Sequence, residues 1–560
     1  MNCLKARTIG IQAAHLTGGD GDPHGYPGAM PARFAAALCL LLACPALVAA
    51  QDFHVDAYAG TDDRDTLNRA FAAMRGIAGA KRLILARRTY RVSDPGGEGF
   101  TPVLAIAGIR DLDLDGNGAV IEAADMLGAR QGYLIGISDF AHVRLRNLHV
   151  TYRPLPYVQG RITAVDQPGN RVEVELDPAF ARIDALRAHA TAELWCRVGQ
   201  RDAPHLPKAD SPSWLGVASR DGGVQRVARD GGRWSLRAGG FDLVKTIGGR
   251  HAWAVGDPLV VWQRGAQDAL AAWAGRGLRL EDIVIDSALH FAIKVRGVEH
   301  AEIARCRIEP VPGGMLSGCA DGIDVQQSRD VTVRDCRVIA NGDDAVSFLN
   351  HGHGRNGLAH EQRFAAPLPD TNEDVHLLGN RLEGGNRNGI LLLATRSEVR
   401  GNAIAHIRQY GLKCTGDDAV IAGNAFTAVG SFTPWRHIAD ELDTGIVVSD
   451  VWTQRRWTVQ DNTFTDWFRM PGILLKSVED ATITGNRFII AARTTGELHP
   501  INPYLQRNAA ICLTGSVFQE RPRSCSGIVL HGNLVRGAGI DPLAVHGQQA
   551  WSGEMPQLAP

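Results

Sequence analysis

The chain has no surplus of either charge: 59 lysine and arginine residues stand against 60 aspartate and glutamate residues. A dominant nucleic-acid surface, which needs a clustered basic excess, is therefore not expected. Cysteine pairs at CxxC spacing are missing too, so a structural zinc site is disfavoured; neither a cofactor nor a resident metal is expected. Seven cysteines follow Ala50: Cys196, Cys306, Cys319, Cys336, Cys414, Cys512 and Cys525. Their odd number leaves at least one free thiol in an exported chain, and a Cys512–Cys525 bridge stays open. Long apolar runs are also absent, so no membrane span is expected. The stretch 34–44 is too short to cross a bilayer. It follows Met30-Pro-Ala-Arg33 and leads to small residues before Gln51, the parts of a secretory signal. Residues 1–50 thus read as a non-native extension plus signal peptide, and the mature chain as secreted or periplasmic. Leu41-Leu42-Ala43-Cys44 resembles a lipoprotein box, the less favoured alternative.

What the sequence does have is a repeat. Short phrases return as "RCRI" at Cys306, "DCRV" at Cys336, "GNRL" at Asn380, "GNAI" at Asn402, "GNAF" at Asn424, "DNTF" at Asn462, "GNRF" at Asn486 and "GNLV" at Asn533. The shorter gaps are 22, 22 and 24 residues and the others 30, 44, 38 and 47, as if loops were inserted into one unit. Apolar spacing of two inside each unit marks strands rather than helices. One such coil cannot bury its apolar face alone, but stacked coils can. The expected fold is all-β: a right-handed parallel β-helix with a ladder of structural asparagines along one corner.

The ends of the repeat differ. "DRDTLNRAFAAMRGIAG" reads as a capped amphipathic helix with Leu67, Ala70, Phe71 and Met74 on one face, placed to cover the open apolar end of the stack. Residues 158–268 break the pattern and read as separate strands, an inserted β-barrel-like module. The division is then 1–50 extension and signal, 51–157 cap and first coils, 158–268 inserted module, 269–540 main β-helix with the catalytic coils, and 541–560 C-terminal tail.

A second set of phrases fixes the register: "FAIKV", "DGIDV", "DAVSF", "NGILL", "YGLKC", "TGIVV", "PGILL" and "AAICL". Aligned, they give a first column of Phe291, Asp321, Asp344, Asn388, Tyr410, Thr444, Pro471 and Ala509. The fourth column reads Lys294, Asp324, Ser347, Leu391, Lys413, Val447, Leu474 and Cys512. Residues of one column stack about 4.8 Å apart on neighbouring coils. Asp321 and Asp344 should therefore be neighbours, with Asp343 on the adjoining turn and Asp324 beside them on the strand. Four clustered carboxylates repel unless a proton, a cation or hydrogen-bond donors hold them, which makes the cluster a functional candidate. A second Gly-Asp-Asp, Gly416-Asp417-Asp418, follows its strand and has no stacked carboxylate, so it reads as a turn.

The stretch "ADGIDVQQSRDVTVRDCRVIANGDDAVSF" resembles the active-site region of the polygalacturonases (glycoside hydrolase family 28), which carry Asn-Thr-Asp followed by Gly-Asp-Asp. It is also similar to the α-1,3-galactosidases of family 110, which share a β-helix, an acidic triad and inserted barrel modules. The resemblance implies that Asp343 is the general acid and that Asp321 and Asp344 hold the attacking water. A water between acid and base implies carboxyls about 6.5–9.5 Å apart and inversion at the anomeric carbon.

Departures narrow the substrate. The polygalacturonase histidine aligns with Asn388, and the Arg-Ile-Lys motif aligns with Gly411-Leu412-Lys413. The remaining cations in register are Lys413 and Lys294, the latter beside Asp324, which argues for a neutral galactose over a galacturonate. Asp324, Lys294, Asn388 and Lys413 are candidate substrate contacts on the sheet; His351, His353 and Trp435 are candidates on loops. Insertions at 309–320, 349–374, 427–443 and 489–508 would wall the aspartates and favour attack at chain ends. The resulting expectation is an exported, inverting exo-glycosidase acting on α-linked galactose-type units of an oligo- or polysaccharide. Alternatives are a polygalacturonase or galacturonidase, a Ca²⁺-dependent polysaccharide lyase, and a non-catalytic carbohydrate-binding β-helix. The sequence carries no signal of oligomeric state.

Overall fold

The computed structural model describes residues 50–94, 102–126, 132–166, 168, 171–180, 194–208, 224–230, 233–238, 253–263, 265, 267–349, 372–430, 447–449, 454–466, 471–489, 509–514, 516–518, 521–537, 540–546 and 549–559. The signal segment, and with it Cys44, lies outside the described residues. So do the loop candidates His351, His353 and Trp435.

Parallel strands of successive coils pair in register to form a right-handed β-helix, and 33 of the described strands belong to one continuous sheet. Its interior is a single apolar column of Ile, Val, Leu, Ala and Phe running from Val55 to Ile540. Identical rings stack inside it: Phe426 on Phe464 at 5.0 Å and Phe464 on Phe488 at 4.8 Å, the spacing of successive coils. At the N-terminal end, helix α1 (Asp63–Arg75) is capped by the Asp62 carboxylate, which accepts the Asp65 N–H. It buries Leu67, Ala70, Phe71 and Met74. Asn68 docks it by donating to Val103 O and accepting the Ala105 N–H, each at 2.9 Å. The apolar end of the stack is thereby covered at this end.

The asparagine corner is a hydrogen-bonded ladder. The Oδ1 atoms of Asn402, Asn424, Asn462, Asn486 and Asn533 each accept the backbone N–H and the Nδ2–H of the asparagine one coil earlier, at 2.9–3.1 Å. Every asparagine on this ladder is buried, so the amides satisfy turn backbone that water cannot reach. Cys306 and Cys336 occupy the same corner on the two preceding coils as buried free thiols, and Cys512 and Cys525 are likewise unbridged.

The column register holds from Lys294 through Asp324, Ser347 and Leu391 to Lys413. It then differs by one residue: Lys413 pairs with Val448, not Val447, and Leu412 takes Val447. Ile446-Val447-Val448 is apolar throughout and has no alternation to set its phase.

Between Tyr157 and Gln263 the chain leaves the helix and forms a six-stranded antiparallel sheet. Its order is Val224–Asp230, Arg233–Ala238, Arg171–Leu176, Tyr157–Asp166, Pro258–Gln263, Leu194–Val198. It curls until its two edge strands neighbour one another. One face builds a separate core from Val158, Ile162, Val174, Cys196, Val198, Trp234, Leu259 and Val261. By strand alternation, Tyr157, Gln159, Trp195, Arg197, Val260 and Trp262 point the other way, onto Met315, Leu316 and Cys319 of the β-helix.

Candidate active site

Asp321 and Asp344 stand just before the paired strands Ile323–Gln326 and Val346–Leu349. With Asp343 they bring one carboxylate oxygen each to within 4.8 Å of one another. Among the described residues they are the one group of three or more His, Cys, Asp or Glu side chains so arranged. All three are buried, at 3%, 5% and 2% exposure for Asp321, Asp343 and Asp344, and Asp324 beside them is fully buried.

Hydrogen-bond donors hold the cluster together. Asp321 Oδ1 accepts the Asp344 N–H at 3.2 Å and Asp344 Oδ1 accepts the Asn388 N–H at 3.1 Å. Asn388 Oδ1 in turn accepts the Tyr410 N–H at 3.4 Å. Two coils before Asp321, Asp268 Oδ1 accepts the Phe291 N–H at 3.3 Å, and Phe291, with no side-chain acceptor, interrupts the series before Asp321. From Asp321 the first column is thus a second ladder, in which side-chain oxygens take the N–H of the following coil. The Ser347 hydroxyl lies 2.6 Å from Asp321 Oδ2 and 3.1 Å from Asp324 Oδ1, so its single proton serves one carboxylate at a time. Gln326 Nε2 donates to Asp324 Oδ2 at 2.7 Å.

The turn carrying Asp343 is fixed from below. Buried Asn341 donates through Nδ2 to the carbonyls of Asp343 and Asp344 at 2.7 and 2.6 Å. A Cβ on Gly342 would stand 2.6 Å from Cys319 O, so this position needs glycine for close approach.

Cations flank the trio. Arg387 Nη1 is 4.0 Å from Asp343 Oδ1, and its N–H donates to Asp343 O at 3.2 Å. Arg387 was missed in the sequence. It precedes Asn388 as Asp343 precedes Asp344, so the same register would have found it. Lys294 Nζ lies 3.8 Å from Asp268 Oδ2 and 5.2 Å from the Phe291 ring, and His290 Nδ1 is 2.7 Å from Asp268 Oδ1. Asp268 and His290 were missed because they stand where the chain re-enters the helix from the module. Lys413 lies over the Tyr410 ring at 5.7 Å and is separated from Ser347 by Leu391 in its column. Arg408 is buried and donates to Asn386 Oδ1 at 3.3 Å. Burial, then the nearby Arg197, push its guanidinium down to about 9.

The second Gly-Asp-Asp is a surface turn. Asp418 pairs with Arg456 at 2.5 Å, which holds its carboxyl below the ordinary value, and Asp417 accepts the Arg455 N–H at 3.0 Å.

One spacing differs from expectation. The nearest oxygens of the trio, within 4.8 Å, are closer than the ~6.5–9.5 Å that leaves room for a water between acid and base. The reason is local: two of the three occupy adjacent rungs of one column and the third adjoins on the same turn.

This is an acidic site on a right-handed parallel β-helix. A family model described as periplasmic copper-binding protein (NosD) matches residues 283–496, less than half the chain. No curated protein matches the sequence. Among solved structures it is similar to the A-module of the mannuronan C-5 epimerase AlgE6 of Azotobacter vinelandii (12% identity, 91% of this chain and 100% of that one, TM-score 0.39). Others are the surface adhesin PfbA of Streptococcus pneumoniae (11%, 91% and 100%, 0.42) and the catalytic unit of a GH87 α-1,3-glucanase of Streptomyces thermodiastaticus (13%, 90% and 70%, 0.40).

Proposed function

We propose that the chain is an exported glycoside hydrolase that releases α-linked galactose-type units from glycan chain ends, of the kind its resemblance to the family 110 galactosidases and the polygalacturonases implies. The observation that carries this reading is the buried, ladder-held trio Asp321, Asp343 and Asp344. Glycoside hydrolysis needs one carboxylic acid to protonate the departing oxygen and one carboxylate to activate water. Asp343 sits on the turn, off the column, and is the acid: its proton goes to the glycosidic oxygen as the bond to the anomeric carbon breaks. Asp321 and Asp344 orient the water that attacks that carbon and take up its proton. The observed spacing does not itself favour inversion, so the inverting outcome rests on the resemblance and is read from the product anomer. The periplasmic description of the NosD model supports export, and no helix among the described residues is long and apolar enough to cross a membrane.

The test is release of free galactose from p-nitrophenyl α-D-galactopyranoside and from α-galactosyl oligosaccharides, with Asp343→Asn as the control. Absence of galactose from every α-galactoside would remove the reading. Proton NMR of the first-formed sugar gives the stereochemistry.

A second reading has its own observation, since three oxygens within 4.8 Å also suit a hard cation. In that case the chain would be a Ca²⁺-dependent lyase, inhibited by chelators and yielding an unsaturated, ultraviolet-absorbing product. Copper fits the described trio poorly, because all three donors are carboxylates where copper favours imidazole or thiolate.

A further inference from the structure

The inserted sheet touches the β-helix where the trio is built. Arg197 is fully buried. Its Nη1 donates to Gly384 O at 2.8 Å, and its Nη2 donates to Met315 O and to His205 O. Gln159 clamps the same segment, donating to Gly313 O and accepting the Met315 N–H, both at 2.9 Å. Trp262 Nε1 donates to Cys319 O at 3.2 Å.

The segment so held leads directly to the trio. Ser317 donates through N–H to Ala340 O at 3.1 Å and through Oγ to Ile339 O at 2.7 Å. Gly318 O accepts the Gly342 N–H at 2.8 Å and Ala320 O accepts the Asp343 N–H at 3.2 Å. Cys319 O, bound by Trp262, is the atom against which Gly342 has no room for a side chain. Gly384, the other carbonyl under Arg197, begins the turn that delivers Arg387 and Asn388 to Asp343 and Asp344. A guanidinium has five donors in a planar fork and can bind carbonyls on two segments at once, which a single ammonium does less well.

We propose that Arg197 is a positioning residue, through which the inserted sheet holds the Gly342–Asp343–Asp344 turn and the Arg387–Asn388 turn in mutual register. The sheet then serves as a buttress of the site. This rests on the proposed hydrolase reading for its effect on rate, but the positioning itself is measurable without turnover.

The experiment compares the full chain with Arg197→Met, Arg197→Lys and Trp262→Phe. Amide exchange is followed by mass spectrometry in the peptide spanning 338–346, with 419–427 as a distant control, and turnover of p-nitrophenyl α-D-galactopyranoside is measured alongside. In Arg197→Met, exchange at 338–346 should rise about tenfold or more while 419–427 is unchanged. There kcat should fall about 10²-fold with KM little changed, the cost of a misplaced group. Arg197→Lys should recover part of both effects, and Trp262→Phe should show a smaller rise in exchange. If Arg197→Met does not accumulate as folded protein, the other two variants decide the same question. Unchanged exchange at 338–346 in folded variants would overturn the proposal, as would unchanged kcat in an active enzyme. If the wild type cleaves no α-galactoside, the hydrolase reading fails while the exchange result still decides the role of Arg197.

Discussion

Asp321 Oδ1 accepts the backbone N–H of Asp344 from the next coil, 3.2 Å away. The two carboxylates are thus positioned by the peptide stacking that builds the solenoid, and their separation is tied to the coil repeat. Ser347, whose strand pairs with that of Asp324, shares its one hydroxyl proton between Asp321 and Asp324.

Replacement of any trio member by asparagine should lower kcat by about 10²–10⁴-fold, the usual contribution of a positioned acid or base. Asparagine keeps an acceptor oxygen for the ladder, so the circular dichroism and melting temperature of Asp321→Asn and Asp344→Asn should stay close to wild type. Asp417→Asn, in the exposed turn, should change kcat less than about twofold. Near-normal turnover in any trio variant would remove that residue from the machinery.

Neutral α-galactosides should be hydrolysed faster than α-galacturonides. Arg387 already has the Asp343 carboxylate 4.0 Å from its guanidinium, an opposite charge that offsets part of its own. A carboxylated sugar is better held by a bidentate arginine whose charge is not so engaged. Paired assays decide this. A preference for the galacturonide that disappears in Arg387→Gln would make Arg387 an anion holder and reverse the charge argument.

Asn424→Ala should destabilise the fold by about 2–4 kcal/mol, because it leaves buried donors and an acceptor without partners. The groups affected are the Asn402 N–H and Nδ2–H, together with Val399 O. Chemical denaturation measures the loss. Turnover of the remaining folded protein should be unaffected, since this corner is distinct from the trio's column.

Acid should weaken the N-terminal coils through Asp115. Burial acts upward on this carboxyl, but hydrogen bonds from Asn147 and Arg82 outweigh it and hold it below the ordinary aspartate value. A depressed folded value means that the stabilisation is complete above the unfolded value of about 3.9 and is lost as pH falls through the folded one. Asp115→Asn should therefore cost about 1.5–3 kcal/mol at pH 7, the worth of hydrogen bonds to a charged group. The two proteins should converge as pH falls through the depressed folded value of Asp115. A stability gap that does not narrow with acid would assign the effect to packing.

The coil architecture was legible because asparagines at gaps of 22 and 24 residues and period-two strands leave few other folds open. The closeness of Asp321 and Asp344 followed from the same register. The slip at Val447 was not legible, since a run of three apolar residues carries no phase. Lys294 was read against Asp324, but the ion pair the structure gives it is with Asp268, a residue at the module's exit whose place in the column depends on how the chain returns. The docking face of the inserted sheet was hidden for a different reason. Alternation shows that Arg197 and Trp262 face away from the sheet's own core, but not what they meet.

The first-column ladder runs unbroken from Asp321 through Asp344 and Asn388 to Tyr410 across consecutive coils. A frame bonded rung to rung in this way has no hinge beside the trio, so two jaws cannot close over a glycan as they do in a bilobal enzyme. Changes of substrate would then be made at the rim, by exchanging one loop for another, while the floor of the site stays as the solenoid lays it down.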